Sequence, residues 1–355
     1  MTERYDEVLA SNLDYISQTI RNRIIFQSEH DPNAIALWIV GTYLMDHWTR
    51  FPKLLVISPE RECGKTTALE AIEGLVFKGK MASSITAAAL VRCIEKDAPT
   101  VLIDEADLTL QDNKQLQAII NAGHTRRSAV RILSDESAGK KWEPKEMSLW
   151  CPQVIAGIGE FSDTLVSRSI SIGLRRKGIN EEIIYLDDGY FDEQAKRRSS
   201  LESWSAAIDS EVLLRVPVVP DGVGNRMRDN WLPLLQIAQL ADVSWIEKCN
   251  DAIEELEIKR KAEAAALTVN DLLLDLREVL NKFIGPEIGS SELLERLNRL
   301  SEGDWHVANN GRAITSKWLA QRLRPYSITP YRRRTGNVYM LADFEDAFNR
   351  YLPPM

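Results

Sequence analysis

Gly64-Lys65-Thr66-Thr67 puts an ammonium and two hydroxyls where a loop, Ser58 to Cys63, turns into a helix. The first N–H groups of a helix lack partners and lie at the positive end of its dipole, so anions are drawn there. With lysine and threonine added, the place becomes a phosphate cradle: Lys65 for the β- and γ-phosphates of a nucleotide, Thr66 for Mg²⁺. Ser58, Pro59, Glu60, Cys63 and Thr67 complete this cofactor-binding loop around Gly64. Pro59 stands where a P-loop usually has glycine, five residues before the Gly-Lys pair. Cys63 lies beside the helix N-terminus, a setting that lowers a thiol pKa, so it is expected to react with alkylators and to be protected by ATP.

A second constellation is Val101-Leu102-Ile103-Asp104-Glu105. Three apolar residues before two carboxylates read as a buried strand with acids at its end. Asp104 would hold Mg²⁺ through water, and Glu105 would polarise the attacking water. Either motif alone also fits an ordinary strand or loop; both together, in this order on strand ends, point to nucleotide binding. Arg168 follows Leu165-Val166-Ser167 and precedes a strand, the place from which an arginine finger would reach a neighbouring subunit's γ-phosphate. The plain alternative is a surface arginine paired with an acid. Arg226 or Arg228, at the start of a helix, could point back to the nucleotide. No polar residue at the end of the strand Pro152–Ala156 can be named as a γ-phosphate sensor.

The elements that must position these groups follow from periodicity. Leu54–Ile57 is a short apolar run of the buried parallel-sheet kind, and the helix after Gly64 runs through Leu75. Residues 6–25 have helical spacing (Val8, Leu9, Leu13, Ile16, Ile20). A second helix spans about Pro32 to Trp48, with Asp31 as N-cap and proline at its first position. Trp38 and His47 on it read as core packing in preference to nucleotide contacts. Thr86 opens another helix, Asn113 to Ala122 is helical, and Ser169–Leu174 is a strand. From Leu201 to Ala241 the chain is helical with a break at Pro217–Asp221; Asn225–Leu235 starts a lid helix in which Trp231 and Leu235 are core. Residues 243–266 form a charged, alanine-rich spacer.

Two stretches concentrate positive charge. Residues 129–149 read as a β-hairpin around a turn-rich centre, with Arg126, Arg127, Arg131, Lys140, Lys141 and Lys145 in and beside it and Trp142 among them. It could track single-stranded DNA through phosphates and stacking; equally, Asp135, Glu136, Glu143 and Glu146 fit a merely solvated hairpin. Residues 311–340 hold Arg312, Lys317, Arg322, Arg324, Arg332, Arg333 and Arg334 and no acid. The order there, helices from Leu272, from Ser290 or Ser291 and from Ile314, then two strands around Thr335-Gly336-Asn337, is that of a winged helix. It suits a helix in a groove with Lys317 and a wing (Arg332, Arg333, Arg334) on phosphates, or alternatively a protein-binding module.

Bulk properties bound these readings. A length of 355 residues suggests two or three domains, and 44% hydrophobic with 27% charged content is ordinary for a globular chain. The net charge of −8 argues against a protein that coats nucleic acid but allows local basic patches. Cys63, Cys93, Cys151 and Cys249 have neither metal-ligand nor disulfide spacing, which fits a reducing interior. No apolar run has the length of a membrane span, and the first residues lack the pattern of a signal peptide, so a cytoplasmic protein is expected.

Ser58-Pro-Glu with Cys63-Gly-Lys-Thr66, Leu102 to Asp107, Asn121 to His124, Ile155 to Gly159, Asp163 to Ile170 and Arg226 with Asp229 to Leu235 resemble an AAA+-type P-loop domain of the domain-of-unknown-function 3631 family. That family occurs in phage, plasmid and mobile-element proteins, often beside primase modules. Its P-loop begins Ser-Pro-Glu, as here at Pro59, and the resemblance runs from about Ala34 to the C-terminus, including Asp343–Phe348. It implies an α/β fold: an N-terminal helical segment (1–50), a P-loop ATPase core with an inserted hairpin (51–177), a helical lid and spacer (178–266) and a winged-helix domain (267–355). It implies ATP and Mg²⁺ as cofactors and a ring, expected to be a hexamer. The expected function is a helicase-like DNA motor in replication of a phage, plasmid or mobile element in the bacterial cytosol, with priming left to a separate protein. An ATP-gated initiator on duplex DNA and a defence or signalling ATPase with a protein partner are the alternatives.

Overall fold

A computed structural model describes residues 3–111, 113–135, 143–159, 161–220, 223–259, 270–300, 305, 313–334 and 336–352. The chain divides into two compact units, Met1–Lys259 and Arg260–Met355.

The first unit opens with α1 (Glu3–Arg21), which buries Leu9, Leu13, Ile16 and Ile20. Val8 was expected on that stripe but is exposed, because it stands one residue, about 100° of helix, off the i, i+4, i+7 row. Helix α2 (Asp31–Thr42) is buried on every side and ends before the expected Trp48; a 3₁₀ turn, Met45–His47, follows. His30, not Asp31, is its N-cap residue, and the Asp31 carboxylate accepts a bond from the Ser28 N–H at 3.2 Å. Trp38 is core: it is fully buried and donates to the Pro52 carbonyl at 2.8 Å.

The sheet elements then alternate with helices: β1 (Lys53–Ser58), α3 (Lys65–Glu73), β2 (Gly79–Ala82), α4 (Ala87–Asp97), β3 (Thr100–Ile103), α5 (Ala106–Gln111) and α6 (Lys114–Ala122). Thr86 and Asn113 cap α4 and α6 by accepting from Ala89 N and Leu116 N, the usual way an orphan helix N–H is satisfied. A hairpin of β4 (Val130–Asp135) and β5 (Glu143–Ser148) follows, then β6 (Gln153–Ile158), α7 (Asp163–Val166) and β7 (Ser169–Gly173). Five strands form one parallel sheet in the order β2-β3-β6-β1-β7, while β4 and β5 pair only with each other. Leu54, Leu55, Val56, Leu102, Val154 and Ile155 are fully buried, as strands covered on both faces require. Strand β1 lies between β6 and β7, yet the chain leaves it for the far edge at β2. Such a reversal opens a crevice at the carboxyl ends of the strands, the usual ligand position in open α/β sheets.

Beyond β7, α8 (Asp188–Ser205) begins well before the expected Leu201, with Asp187 capping Tyr190 N. Its buried residues, Tyr190, Gln194, Leu201 and Trp204, are spread along a mostly polar helix, so no apolar run announces it. Helices α9 (Ser210–Leu213), α10 (Asn225–Ala241) and α11 (Val243–Ile253) complete the unit with a π-turn at Glu254–Lys259; Trp231 and Leu235 are core, as read.

The second unit has helices Asn270–Asn281, Ser290–Asn298, Ser316–Leu323 and Leu341–Tyr351 around a three-stranded antiparallel sheet. Its order is β8 (Glu287–Gly289), β10 (Gly336–Met340), β9 (Tyr331–Arg333). The three-residue β8 lies below the length at which alternation can be read from sequence. Leu276, Leu293, Leu319, Leu323, Ile328, Tyr339 and Phe344 make its core. Gly289, not Ser290, precedes the second helix.

Candidate functional site

Strand β1 delivers Ser58, fully buried, to the carboxyl edge of the sheet. The following loop turns with Glu62 at φ 63° and Gly64 at φ 81°, both in the left-handed region. Nothing lies within 4 Å of a Cβ built on Gly64, so the backbone angle, not crowding, calls for glycine there. Lys65 begins α3, and its ammonium donates to the Ser58 hydroxyl at 2.9 Å; Ser58 Oγ in turn donates to the Glu60 carbonyl at 2.7 Å. One residue on, Thr66 Oγ1 donates to Asp104 Oδ2 at 2.9 Å.

Asp104 leaves β3 nearly buried, and its other oxygen accepts the Glu105 N–H at 2.8 Å. Glu105 has φ 49°, a left-handed backbone for a residue other than glycine, and its side chain is exposed. Asp107 receives the Ile158 N–H at 3.2 Å and ties α5 to the end of β6. A Cβ on Gly157 would meet the Phe161 ring at 2.5 Å and Asp107 Oδ1 at 2.8 Å, so this approach needs glycine. Ser58, Lys65, Thr66, Asp104 and Glu105 thus share the carboxyl end of the sheet. Pro59, Glu60, Thr66 and Thr67 are exposed or half-buried along the loop. Cys63 departs from expectation: it is buried, with its thiol 3.7 Å from the Arg61 carbonyl, so reagent must first open the loop.

Arg176, just past β7, was not anticipated. Its guanidinium lies 3.5 Å from both Glu60 and Glu62 and 3.2 Å from the Arg61 carbonyl, bracing the loop against the β7 extension. The partners are more than a hundred residues apart in the chain, and charge order within either segment gives no sign of them.

Arg168 and Arg226 lie at the other end of the sheet. The Arg168 carbonyl accepts from Lys53 N, at the first residue of β1, and its guanidinium donates to the Thr164 carbonyl at 2.8 Å. Arg226, in the first turn of α10, donates to Ser167 Oγ at 3.0 Å. Asn230, one turn further, donates to the Ser167 carbonyl at 3.2 Å and offers its Oδ1 to His124 Nε2 at 2.9 Å. Because the amide nitrogen is spent on Ser167, its oxygen faces the ring, and His124 carries its proton on Nε2. Burial, and the cations Lys53 and Arg168 nearby, push the His124 pKa down to about 4. Burial also pushes Lys53 down to about 7, with Arg168 acting in the same direction; its ammonium is buried without a hydrogen-bond partner. Burial and the Arg226 charge lower Arg168.

The hairpin differs from expectation in its faces. Arg131 stands opposite the buried Met147, so the root of the outward face carries Val130 and Ile132, both exposed. Strand alternation fixes this: the face shared with the core takes every second residue. Arg126 is bound to Asp46, donating to its carbonyl at 2.6 Å; Arg127 is exposed. Lys140, Lys141 and Trp142 lie outside the described residues, as does Arg312. In the second unit Arg333 is engaged by Glu287 at 2.8 Å, while Lys317, Arg332 and Arg334 are exposed and have no carboxylate partner among the described residues.

No helix among the described residues is long and apolar enough to cross a membrane, and no cluster of three or more His, Cys, Asp or Glu suited to a metal occurs among them. A family model described as a protein of unknown function, DUF3631, matches residues 173–351, just over half of the chain. The match takes in Arg176, Arg226 and the second unit as far as residue 351, and leaves out the Ser58–Thr67 loop, Asp104, Glu105 and Arg168. Among solved structures, the apo A form of the NrS-1 C-terminal region (305–718) is similar at 14% identity over 92% of this chain and 74% of that one, with a TM-score of 0.41. No curated protein matches.

Proposed function

The chain belongs to the DUF3631 family, whose function is unknown, and from the chemistry of its sheet edge we propose that it is an ATP-hydrolysing, DNA-acting P-loop ATPase of the AAA+ type. The observation that carries this is the meeting of Lys65, Thr66, Asp104 and Glu105 at the carboxyl end of β1 and β3, where the strand order reverses. Lys65 gives up the Ser58 hydroxyl to bind the β- and γ-phosphates, and the N–H groups opening α3 take the remaining oxygens. Thr66 and Asp104, already 2.9 Å apart, are a hydroxyl and a carboxylate suited to Mg²⁺, which needs few protein ligands and keeps water and phosphate oxygens for the rest. When bound, Mg²⁺ neutralises charge building on the phosphates. Glu105, exposed beside them, orients water and takes its proton.

Arg168 cannot serve its own loop, since β1 separates them by roughly 17 Å at ~3.3 Å per residue. Its role requires a second copy in a head-to-tail ring, for which we take a hexamer. The hairpin is read as the contact with single-stranded DNA, and the second unit, with its exposed Lys317, Arg332 and Arg334, as a winged helix on duplex DNA. The setting we propose is replication of a phage, plasmid or mobile element, with priming supplied by a separate protein. The test is ATP turnover with and without single-stranded DNA, for wild type and Glu105→Gln. The reading expects DNA to raise turnover, and Glu105→Gln to bind ATP while losing a factor on the order of 10²–10⁴ in rate. Normal hydrolysis by Glu105→Gln would refute the assignment. A rate indifferent to single-stranded DNA, with tight duplex binding through Arg332 and Arg334, would favour an ATP-gated initiator.

A further inference from the structure

Arg226 invites a role on a nucleotide of its own chain, at the start of a helix that follows the sheet. Its position argues otherwise. Arg226 is bonded to Ser167, the neighbour of Arg168, and Arg168 is fixed to the first residue of β1. Both arginines are therefore anchored at the start of β1, a strand's length from the loop that leads to Lys65. Side by side they are also unfavourable: Arg226 lowers the Arg168 pKa, and Arg226 itself sits in the first turn of a helix, where the dipole already repels cations. Lys53, close enough to help lower His124, adds to the same field when protonated, whereas His124 itself is neutral. Among the described residues neither Arg168 nor Arg226 has a carboxylate partner; the nearby Asp229 is held by Arg50 at 3.2 Å. Two arginines gathered at a helix N-terminus, with the nearby acid already held by Arg50, suit an incoming anion. The hydrogen-bond chain from His124 through Asn230 to the Ser167 backbone holds the tip that carries it.

We propose that Arg226 acts in trans beside Arg168, as a second cation for the γ-phosphate bound in the Ser58–Thr67 loop of a neighbouring copy. This rests on the ATPase reading above. Two forks approaching one phosphoryl group can divide its equatorial oxygens between them, with Arg168 at the tip and Arg226 held behind it by Ser167. Asn230 and His124 are positioning residues in this arrangement.

Subunit mixing tests it. Lys65→Ala and Arg226→Ala each abolish most turnover as pure proteins, with a loss on the order of 10²-fold expected for Arg226→Ala. Mixed in equal amounts, they form some interfaces in which an intact Lys65 faces an intact Arg226 from the neighbour. Turnover then returns to about a quarter of wild type if the ring is head-to-tail and assembly is random. Arg168→Ala mixed with Lys65→Ala is the control, and binding of a fluorescent ATP analogue by Arg226→Ala and Arg226→Gln reports that the loop is intact. Recovery in the Arg226 mixture supports the proposal. Recovery only in the Arg168 mixture overturns it and leaves the ATPase reading standing. Full activity of Arg226→Ala alone, or no recovery in either mixture, also overturns it. A wild-type protein without ATP turnover overturns both.

Discussion

Replacing Lys53 with methionine should stabilise the first unit, and the gain should depend on pH. The Lys53 side chain is fully buried at the start of β1, its ammonium has no hydrogen-bond partner, and burial lowers its pKa from 10.5 to about 7. At 1.36 kcal/mol per pKa unit, holding the charged form in the fold costs about 5 kcal/mol. The sign follows from proton counting. Between pH 7 and 10.5 the unfolded chain keeps the proton and the folded chain does not, so stability rises with pH. Below pH 7 both forms are charged and the whole cost is present; above 10.5 neither is. From pH 7 to 8.5 the wild type should therefore gain roughly 2 kcal/mol from this residue. His124 stays neutral in that window, which also stops below the unfolded thiol's 9.0, where the raised Cys151 would begin to oppose the gain. Lys53→Met should be more stable than wild type by about 4 kcal/mol at pH 7 and should lose the slope. Urea unfolding followed by the buried tryptophans Trp38, Trp48 and Trp231, extrapolated at pH 7 and pH 8.5, reads both quantities. A variant less stable than wild type at pH 7, or one with an unchanged slope, would mean that Lys53 has an anionic partner in the fold, and the reasoning would fail.

Three further outcomes follow from contacts described above. His124, lowered to about 4 by burial, is neutral when folded; stability should fall as pH drops from 6.5 towards 4, by about 3 kcal/mol in all, and His124→Gln should flatten that limb in the same urea titration. Gly157→Ala puts a methyl 2.5 Å from the Phe161 ring and should destabilise the unit by about 1–3 kcal/mol, seen as a lower thermal midpoint, with the Asp107–Ile158 tie lost. On the proposed reading of the second unit as a duplex-DNA binder, replacing Arg332 and Arg334 together with alanine should reduce the salt slope of binding by about 2, at ~0.9 per phosphate contact, whereas Arg333→Ala should change it less because Glu287 already occupies that guanidinium. Equal slopes for the three arginines would remove the distinction.

The strand, loop and helix around Lys65 are legible in the sequence because each leaves a local mark: an apolar run at Leu54–Ile57, a turn-rich loop, a glycine ahead of a lysine. The hairpin and the pairs of short strands near the C-terminus are legible for the same reason. What is hidden is what depends on the far side of the fold. Lys53 carries no local mark of its burial, which comes only when β7 pairs with β1. Arg176 stands between Arg175 and Lys177, and only the fold brings Glu60 and Glu62 to it. Arg226 reads as a residue of the nucleotide's own chain, because sequence order gives no sign of which end of the sheet α10 starts from. Helix α8 escaped because its buried residues are too sparse to make a stripe, and α5 because Glu105 reverses the backbone where a strand's carboxylates were expected to run into a loop.

The strand order has a consequence for how the chain is made. Leu54 of β1 pairs with Val154 on one side and Ile170 on the other, so both neighbours leave the ribosome a hundred or more residues after it. At roughly 5–20 residues per second, β1 waits about 5–20 s with neither edge paired. For that interval the nascent chain carries a short strand whose apolar run, Leu54–Ile57, is open to other chains. Its rescue ends only when β7 emerges, which is also when Arg176 arrives to brace the loop. Slowing synthesis between residues 58 and 169 should therefore lower the soluble yield more than slowing it after residue 180.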